Sequence, residues 1–187
     1  FFLSVPSMAI LGLVWQYIFS PLESGVLNTI LGSVFGVDAV LWLAESSLAR
    51  ACVIFVGVWG GVGWHATLYL AYLQAIPRDL YEQAEVDGAS KLQQFGNITL
   101  PQLVPGIVVS TFLLMSGGLK VYDLPYTLTK GGPGFSTNTL TQSIIVQGIA
   151  QGRANVGSAV AVLFTIAVAA VVLAQLAVAN RIERSMS

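Results

Sequence analysis

Hydrophobic and polar positions along the 187-residue chain sort into four long apolar runs, three connections and a polar tail. The first run extends from Phe1 to Phe19, is interrupted by Pro6, holds Gln16 as its only strongly polar member, and closes at Ser20-Pro21. The second runs from about Ala51 to Ala75 without a formal charge, the third from about Leu103 to Leu119, and the fourth from about Asn155 to Ala179, dominated by Ala, Val, Leu and Ile. A helix needs roughly 20 apolar residues to cross a bilayer. None of the runs alternates with period two, as strands of a membrane barrel would. A backbone immersed in lipid must satisfy its own hydrogen bonds, which a helix does. The pattern therefore predicts an all-α, polytopic membrane helix bundle with four crossings.

The connections differ in character. Residues 21–50 hold a short apolar patch (Val26, Leu27, Ile30, Leu31) and Trp42, which predict a surface-lying helix and an interfacial aromatic anchor. Residues 77–101 are the most charged segment, with Arg78, Asp79, Glu82, Glu85, Asp87 and Lys91. Pro77 suits a first helical turn, Asp79 and Glu82 suit the positive end of a helix dipole, and Gly88 suits a C-terminal cap. A second short helix over 89–95, stopped by Gly96-Asn97, would complete a compact knob standing in water beside the third crossing. Residues 120–153 are rich in Gly and Thr, and the tail 180–187 carries Arg181, Glu183 and Arg184. Four crossings put the 77–101 loop and both chain ends on one side. The positive-inside rule does not name that side: Arg78, Lys91, Arg181 and Arg184 balance Arg50, Lys120, Lys130 and Arg153.

Composition narrows the class. Only 9% of residues are charged, against about 25% in soluble domains; 55% are hydrophobic, and the mean hydropathy is +0.77. A soluble enzyme, a disordered chain and a disulfide scaffold are disfavoured together. The net charge of −1 offers no basic stripe for nucleic acid. Cys52 is the sole cysteine and His65 the sole histidine, so a metal site built on either type is not predicted. Gly131-Gly132-Pro133-Gly134 lacks the Lys-Ser/Thr ending of a phosphate cradle. No catalytic constellation and no cofactor site emerge, so the reading is a non-enzymatic protein that does not hydrolyse ATP by itself. Because the chain opens at Phe1 inside an apolar run, with no basic stretch ahead of it, it reads as a piece cut from a longer protein.

Small residues crowd the crossings: Gly57, Gly60, Gly61 and Gly63 in the second, with a Gly-x-x-x-Gly pair at 57 and 61, and Ala159, Ala161, Ala167, Ala169, Ala170 and Ala174 among those in the fourth. Such residues let helices approach closely in lipid, either in a static bundle or at a moving interface. Polar and aromatic groups in or beside the crossings are candidates for contact with a translocated molecule: Trp59, Trp64, His65, Tyr69, Gln74, Tyr122, Asp123 and Tyr126. Each has a plainer alternative. Trp and Tyr anchor helices at interfaces, His65 can bond a neighbouring helix, and Asp123 can cap a turn.

The charged loop carries a resemblance. Glu82-Gln83-Ala84, then Gly88, then Ile98-Thr99-Leu100-Pro101 keep the spacing of the coupling loop of ABC-importer permeases, with Gln83 in place of the middle Ala. Six residue types at fixed spacing coincide by chance with a probability on the order of 10⁻⁷ per starting position. Tyr122-Asp123-Leu124-Pro125-Tyr126-Thr127-Leu128-Thr129, followed by Gly131-Gly132-Pro133 and 137–140, resembles the permeases of carbohydrate importers such as the maltose and glycerol-3-phosphate transporters. The resemblance covers nearly all of 1–187 and implies a partial type I ABC-importer transmembrane domain, the last four of six crossings, in the cell membrane. It implies that the 77–101 loop is cytoplasmic and docks on an ATP-binding subunit. Glu82 would then meet a basic partner, Gly88 would turn the knob, and Ala84, Glu85, Asp87 and Ala89 would complete the docking face. It further implies a second permease subunit, an extracytoplasmic solute-binding protein and a carbohydrate substrate that moves by alternating access, with Trp59, His65, Tyr122, Asp123 and Tyr126 as pathway candidates. A permease for amino acids or oligopeptides is the nearest alternative. An ion-coupled secondary transporter would need acidic groups inside the crossings, and those runs have none.

Overall fold

The computed structural model describes residues 6–186, with side chains described through Ala179 and at Arg181. The elements, all helical among the described residues, are α1 (Met8–Ile18), α2 (Val26–Phe35), α3 (Ser46–Gln74), α4 (Arg78–Val86), α5 (Lys91–Gln94), α6 (Leu100–Leu119), α7 (Asp123–Thr129), α8 (Leu140–Ile145) and α9 (Ala154–Met186). Three stretches are long and apolar enough to cross a membrane: Ser46–Gln74, Lys91–Leu119 and Ala154–Ala179. They match the second, third and fourth apolar runs. The first run differs. Ser7, extended at ψ 152°, caps the start of α1 by accepting from the Ile10 amide. The helix after it has 11 residues, about 16 Å of rise, which is short for a bilayer core of about 30 Å. Residues 1–5 of that run lie outside the described residues.

Most large apolar side chains on the spanning helices are exposed, including Ile54, Leu163 and Leu173. Lipid is as apolar as leucine, so burial drives helix association weakly there, and close packing must do the holding. Glycine contacts supply it: Gly60 of α3, where a Cβ would come within 2.9 Å of the Leu11 side chain of α1, and three more. On α6, Gly106 lies under the Tyr72 ring of α3, where a Cβ would come within 2.7 Å of the ring. On α1, Gly12 abuts the Thr127 side chain of α7, leaving no room for a Cβ. In the third contact Gly148 and Gly157 meet backbone to backbone, which joins the turn after α8 to α9. The Gly-x-x-x-Gly pair does not act as a helix contact: Gly57 only reaches ordinary packing distance from Leu124, and Gly61 meets nothing but the edge of His65. Their faces of α3 are not the ones turned to another spanning helix.

One small core forms, from Leu11 and Phe19 of the first segment, Cys52 and Val56 of α3, and Leu124 and Leu128 of α7. It lies at the N-terminal half of α3. Since α3 and α6 run antiparallel, with His65 against Ser110 and Tyr72 against Gly106, this core is at the opposite end from α4. The 120–153 connection is thus more structured than a Gly/Thr-rich loop suggests. It inserts α7 into the core, with Leu124, Pro125 and Leu128 buried, and sends the apolar helix Leu140–Ala150 back along α9.

The 20–42 segment also departs from expectation. Asn28 of α2 is 4% exposed. Its amide donates to the carbonyls of Ser20, Leu22 and Val40 and accepts from the Val40 amide and, at 2.8 Å, from the Trp42 indole. Trp42 therefore packs inward on Phe19 as a staple of this loop rather than as an interfacial anchor, because its one donor is consumed by a buried acceptor. Gly106→Val should destabilise the chain by about 1–3 kcal/mol, the usual cost of overpacking. Adding Tyr72→Ala should recover most of it, as read by thermal unfolding of the purified protein in lipid nanodiscs. A Gly106→Val variant as stable as the parent would mean that this seam does not hold the helices.

Candidate functional site

The charged segment builds its geometry from caps. Pro77, at ψ 133°, precedes α4 rather than entering its first turn. At the other end, Asp87 is the C-cap and Gly88 follows at φ +77°. The Gly88 amide donates to the Glu85 carbonyl at 3.0 Å and the Ala89 amide to the Ala84 carbonyl at 2.9 Å, the paired bonds of a Schellman ending. Two residues later Ser90 opens α5 with a capping box, its hydroxyl accepting from the Gln93 amide and the Gln93 side chain accepting from the Ser90 amide. Gln94, 4% exposed, donates back to the Ala89 carbonyl. The turn between α4 and α5 is thereby fixed from both sides.

The second helix of the knob does not stop at Gly96-Asn97. Residues Phe95–Thr99 form a π turn that passes directly into α6, so Lys91–Leu119 is one rod of 29 residues, about 43 Å long. Pro101 gives the reason. It has no N–H, and its ring would crowd the carbonyl four residues back in a regular α-helix; a wider turn just ahead of it accommodates both. Glycine and asparagine fit this turn without ending the helix.

On the knob, Glu82 and Asp87 are exposed, whereas Ala84 and Ala89 are half-buried. Glu85 pairs with Lys91, and this hydrogen bond, reinforced by the lysine charge, holds the Glu85 carboxyl below its ordinary range. The pair is present above the usual carboxylate pKa and is lost as pH falls through the lowered one; both groups are solvent-facing, so it contributes little to stability. Two features escape a reading of the sequence. Val86 is 89% exposed and Leu92 81% exposed, apolar side chains standing on the most charged part of the chain, and Val86 shares a shallow concavity with Glu82, Gln83 and Asp87. The signal was available: valine and leucine in an otherwise polar helical stretch with no hydrophobic partner nearby.

The five pathway candidates divide. Tyr122, Asp123 and Tyr126 come together at the start of α7, with the tyrosine rings stacked at 5.1 Å and 17° and Asp123 exposed in the first turn. Burial first, and then the neighbouring Tyr126 and Asp123, raise the Tyr122 phenol above its ordinary pKa, so its hydroxyl is a neutral donor. Trp59 lies in another seam, edge-on to Trp15 at 5.4 Å, within an aromatic cluster that also holds Phe19 and Phe55. His65 lies between the spanning helices, its Nδ1 2.8 Å from the Ser110 hydroxyl, with Trp64 edge-on at 5.0 Å.

Comparison with known proteins agrees with this architecture. The model of the binding-protein-dependent transport system inner membrane component family matches residues 1–187. The chain is 37% identical over 179 residues to a probable ABC transporter permease, YurN, of Bacillus subtilis, covering 94% of this chain and 61% of that protein. It is 39% identical over 152 residues to the sulfoquinovosyl glycerol transport permease SmoG of Agrobacterium fabrum (81% and 49% covered), and 38% identical over 149 residues to the trehalose/maltose transport permease MalF of Thermococcus litoralis (80% and 50%). A crystal structure of a bacterial ABC transporter that imports the acidic polysaccharide alginate superposes with a TM-score of 0.87 at 26% identity, over 97% of this chain and 63% of that one. The chain thus spans roughly half to three-fifths of the length of these relatives. A membrane-helix bundle whose one charged knob is fused to a spanning rod, matched from end to end by a single family model, belongs to the inner-membrane components of binding-protein-dependent transport systems.

Proposed function

We propose that the chain is part of a permease subunit that takes up a carbohydrate through an ATP-driven importer, with residues 77–101 as its cytoplasmic coupling loop. The observation that carries this reading is the knob: a rigidly capped helix pair, continuous with a crossing, that presents Glu82, Val86, Asp87 and Leu92 to water. Such a mixed apolar and acidic face suits a groove on a soluble partner, and force applied there has a stiff path into the membrane. Hydrolysis of ATP belongs to that separate subunit. The similarity to permeases named for sulfoquinovosyl glycerol and for trehalose and maltose supports a carbohydrate as cargo. So does a solved alginate importer in complex with its pentasaccharide-bound periplasmic protein, which also supports a binding-protein partner here. A second permease subunit would complete the pathway, and the lipid-facing apolar surface of α9 leaves room for one.

Within the subunit, ATP-driven closure of the cytoplasmic partners would move the knob, and the spanning helices would rock between inward-open and outward-open states. Tyr122 and Tyr126 offer stacked aromatic faces next to a carboxylate, a combination that suits the C–H faces and hydroxyls of a sugar. Trp59 and His65 belong to the same proposal as second-rank candidates. His65 is already engaged by Ser110, so a contribution from it requires that bond to open as the helices move.

Three outcomes test the proposal. In the complete transporter with Cys52 and any other cysteine replaced by Ser, a cysteine placed in the 77–101 loop should react only from the cytoplasmic face and one near Lys130 only from outside; labelling of both from one face would remove the topology. Glu82→Lys should cost docking the roughly 2–5 kcal/mol typical of breaking an interfacial charge pair, weakening capture of the ATP-binding subunit at least about twentyfold. Gly88→Val should fail as well, because a β-branched residue resists φ +77°; co-purification and uptake at parental levels in both variants would sink the coupling assignment. Tyr122→Ala or His65→Ala should lower sugar uptake several-fold while basal ATP hydrolysis stays within about twofold, and unchanged uptake in both would return these residues to a packing role.

A further inference from the structure

α4 is joined to the membrane at both ends, and the two joints differ. Toward α3 the chain passes through Ala75, Ile76 and Pro77, three residues outside any helix. Toward the rod Lys91–Leu119 it passes through the Schellman turn at Gly88 and the Ser90 capping box. A turn fixed at one point still lets a helix swing about that point. A second attachment, away from the hinge, stops the swing and decides which crossing the helix follows.

The structure contains such an attachment. The Tyr81 hydroxyl lies 2.8 Å from the Thr99 hydroxyl, in a partly buried bond across 18 residues. Tyr81 is five residues before the end of α4, about 8 Å along the helix from that end and farther still from the hinge at Gly88. Thr99 is the last residue of the π turn and the residue from which α6 begins. The other side-chain polar link between α4 and the rod among the described residues is Glu85–Lys91. That pair is solvent-facing, with 82% of the lysine side chain exposed, and it sits beside the hinge, where it has little leverage. No comparable side-chain hydrogen bond ties α4 to α3 among the described residues.

Resting on the importer reading above, we infer that the Tyr81–Thr99 bond makes α4 move as one body with the rod Lys91–Leu119, so that the stroke delivered to the knob enters the membrane through that crossing and not through α3. Tyr81 is then a positioning residue. It does not touch the nucleotide-binding partner; it sets where the partner's motion goes. Loss of its hydroxyl leaves the docking face in place and frees α4 to rotate about Gly88, so that closure is absorbed at the joint.

The test uses the complete transporter, with full-length permease, partner permease and ATP-binding subunits, in lipid nanodiscs. Cys52→Ser, with any cysteine in the rest of the permease and in the partner subunits replaced likewise, removes competing thiols. Gly118→Cys introduces a reporter near the far end of the rod, where a side chain meets nothing within 4 Å. The readout is the rate of labelling by a membrane-impermeant maleimide, with and without vanadate-trapped nucleotide. In this parent the trapped state should change the rate. Tyr81→Phe should keep ATP hydrolysis and subunit co-purification within twofold, yet shrink the nucleotide-dependent change about fivefold, roughly the equilibrium weight of one hydrogen bond. Thr99→Val should behave like Tyr81→Phe, Thr99→Ser should retain the full change, and Tyr81→Phe with Thr99→Val should be no worse than either alone. A Tyr81→Phe variant with the full change overturns the inference. Loss of the ATP-binding subunit from Tyr81→Phe also overturns it, since Tyr81 would then be a docking residue. A parent whose labelling ignores nucleotide removes the importer reading itself, and this inference with it.

Discussion

Helices that share a lipid solvent gain little from hiding their apolar faces against one another, so this chain is held where backbones come unusually close. Gly106 under Tyr72 sets the distance between two of the spanning helices, Gly12 against Thr127 seats α7 beside α1, and Gly148 against Gly157 lays the end of the α8 segment on α9. The rest follows from these three approaches. With α3 and α6 drawn together, Ser110 falls within reach of His65. With α7 seated, Leu124 and Leu128 close the core around Cys52 and Val56. The remaining surface of the spanning helices is free to face lipid or a neighbouring subunit.

The water-exposed knob is governed by a different rule. There the backbone can bond to solvent, so fixed geometry must come from local capping. Gly88, Ser90, Gln93 and Gln94 together satisfy the amides and carbonyls of the turn. That local satisfaction fixes the path of the chain through the turn, while the outer face, acidic at Glu82 and Asp87 and apolar at Val86 and Leu92, stays exposed. Stiffness at the turn and availability of the face are separate properties of different residues, so each can be altered without the other.

The crossings were legible from the sequence because they are long and because lipid permits only one backbone solution. The second, third and fourth runs agree with the helices within a few residues. The turn of the charged 77–101 segment was legible because the positive φ at Gly88 demands glycine. What was not legible depended on partners distant in the chain. Asn28 looks like a surface residue in an apolar patch until Val40 and Trp42 fold back over it. The glycines that matter for packing, Gly12, Gly106, Gly148 and Gly157, do not form the short motif that draws the eye at 57 and 61. Gly96-Asn97 reads as a stop, since both residues end helices in water; Pro101, further on, is what converts the stop into a wider turn. Among the candidate site residues, Tyr122, Asp123 and Tyr126 were near one another in sequence and remain so in space, whereas Trp59 and His65 lie in separate seams that only three-dimensional packing reveals.

The π turn at Phe95–Thr99 gives the interval between Gly88 and Pro101 a meaning that a flexible linker would lack. Successive residues of an α-helix are displaced by about 100° around the axis, and a π turn spends about one residue more per turn. Because the rod is unbroken from Lys91 to Leu119, the azimuth of the knob and the azimuth of the membrane half are geared together. Adding one residue to the regular α-helical part of the rod beside the wide turn would lengthen the rod by about 1.5 Å, a trivial change in length. It would also turn the knob by about a quarter revolution relative to the face that packs on α3. In this part of the molecule chain length is an angular setting.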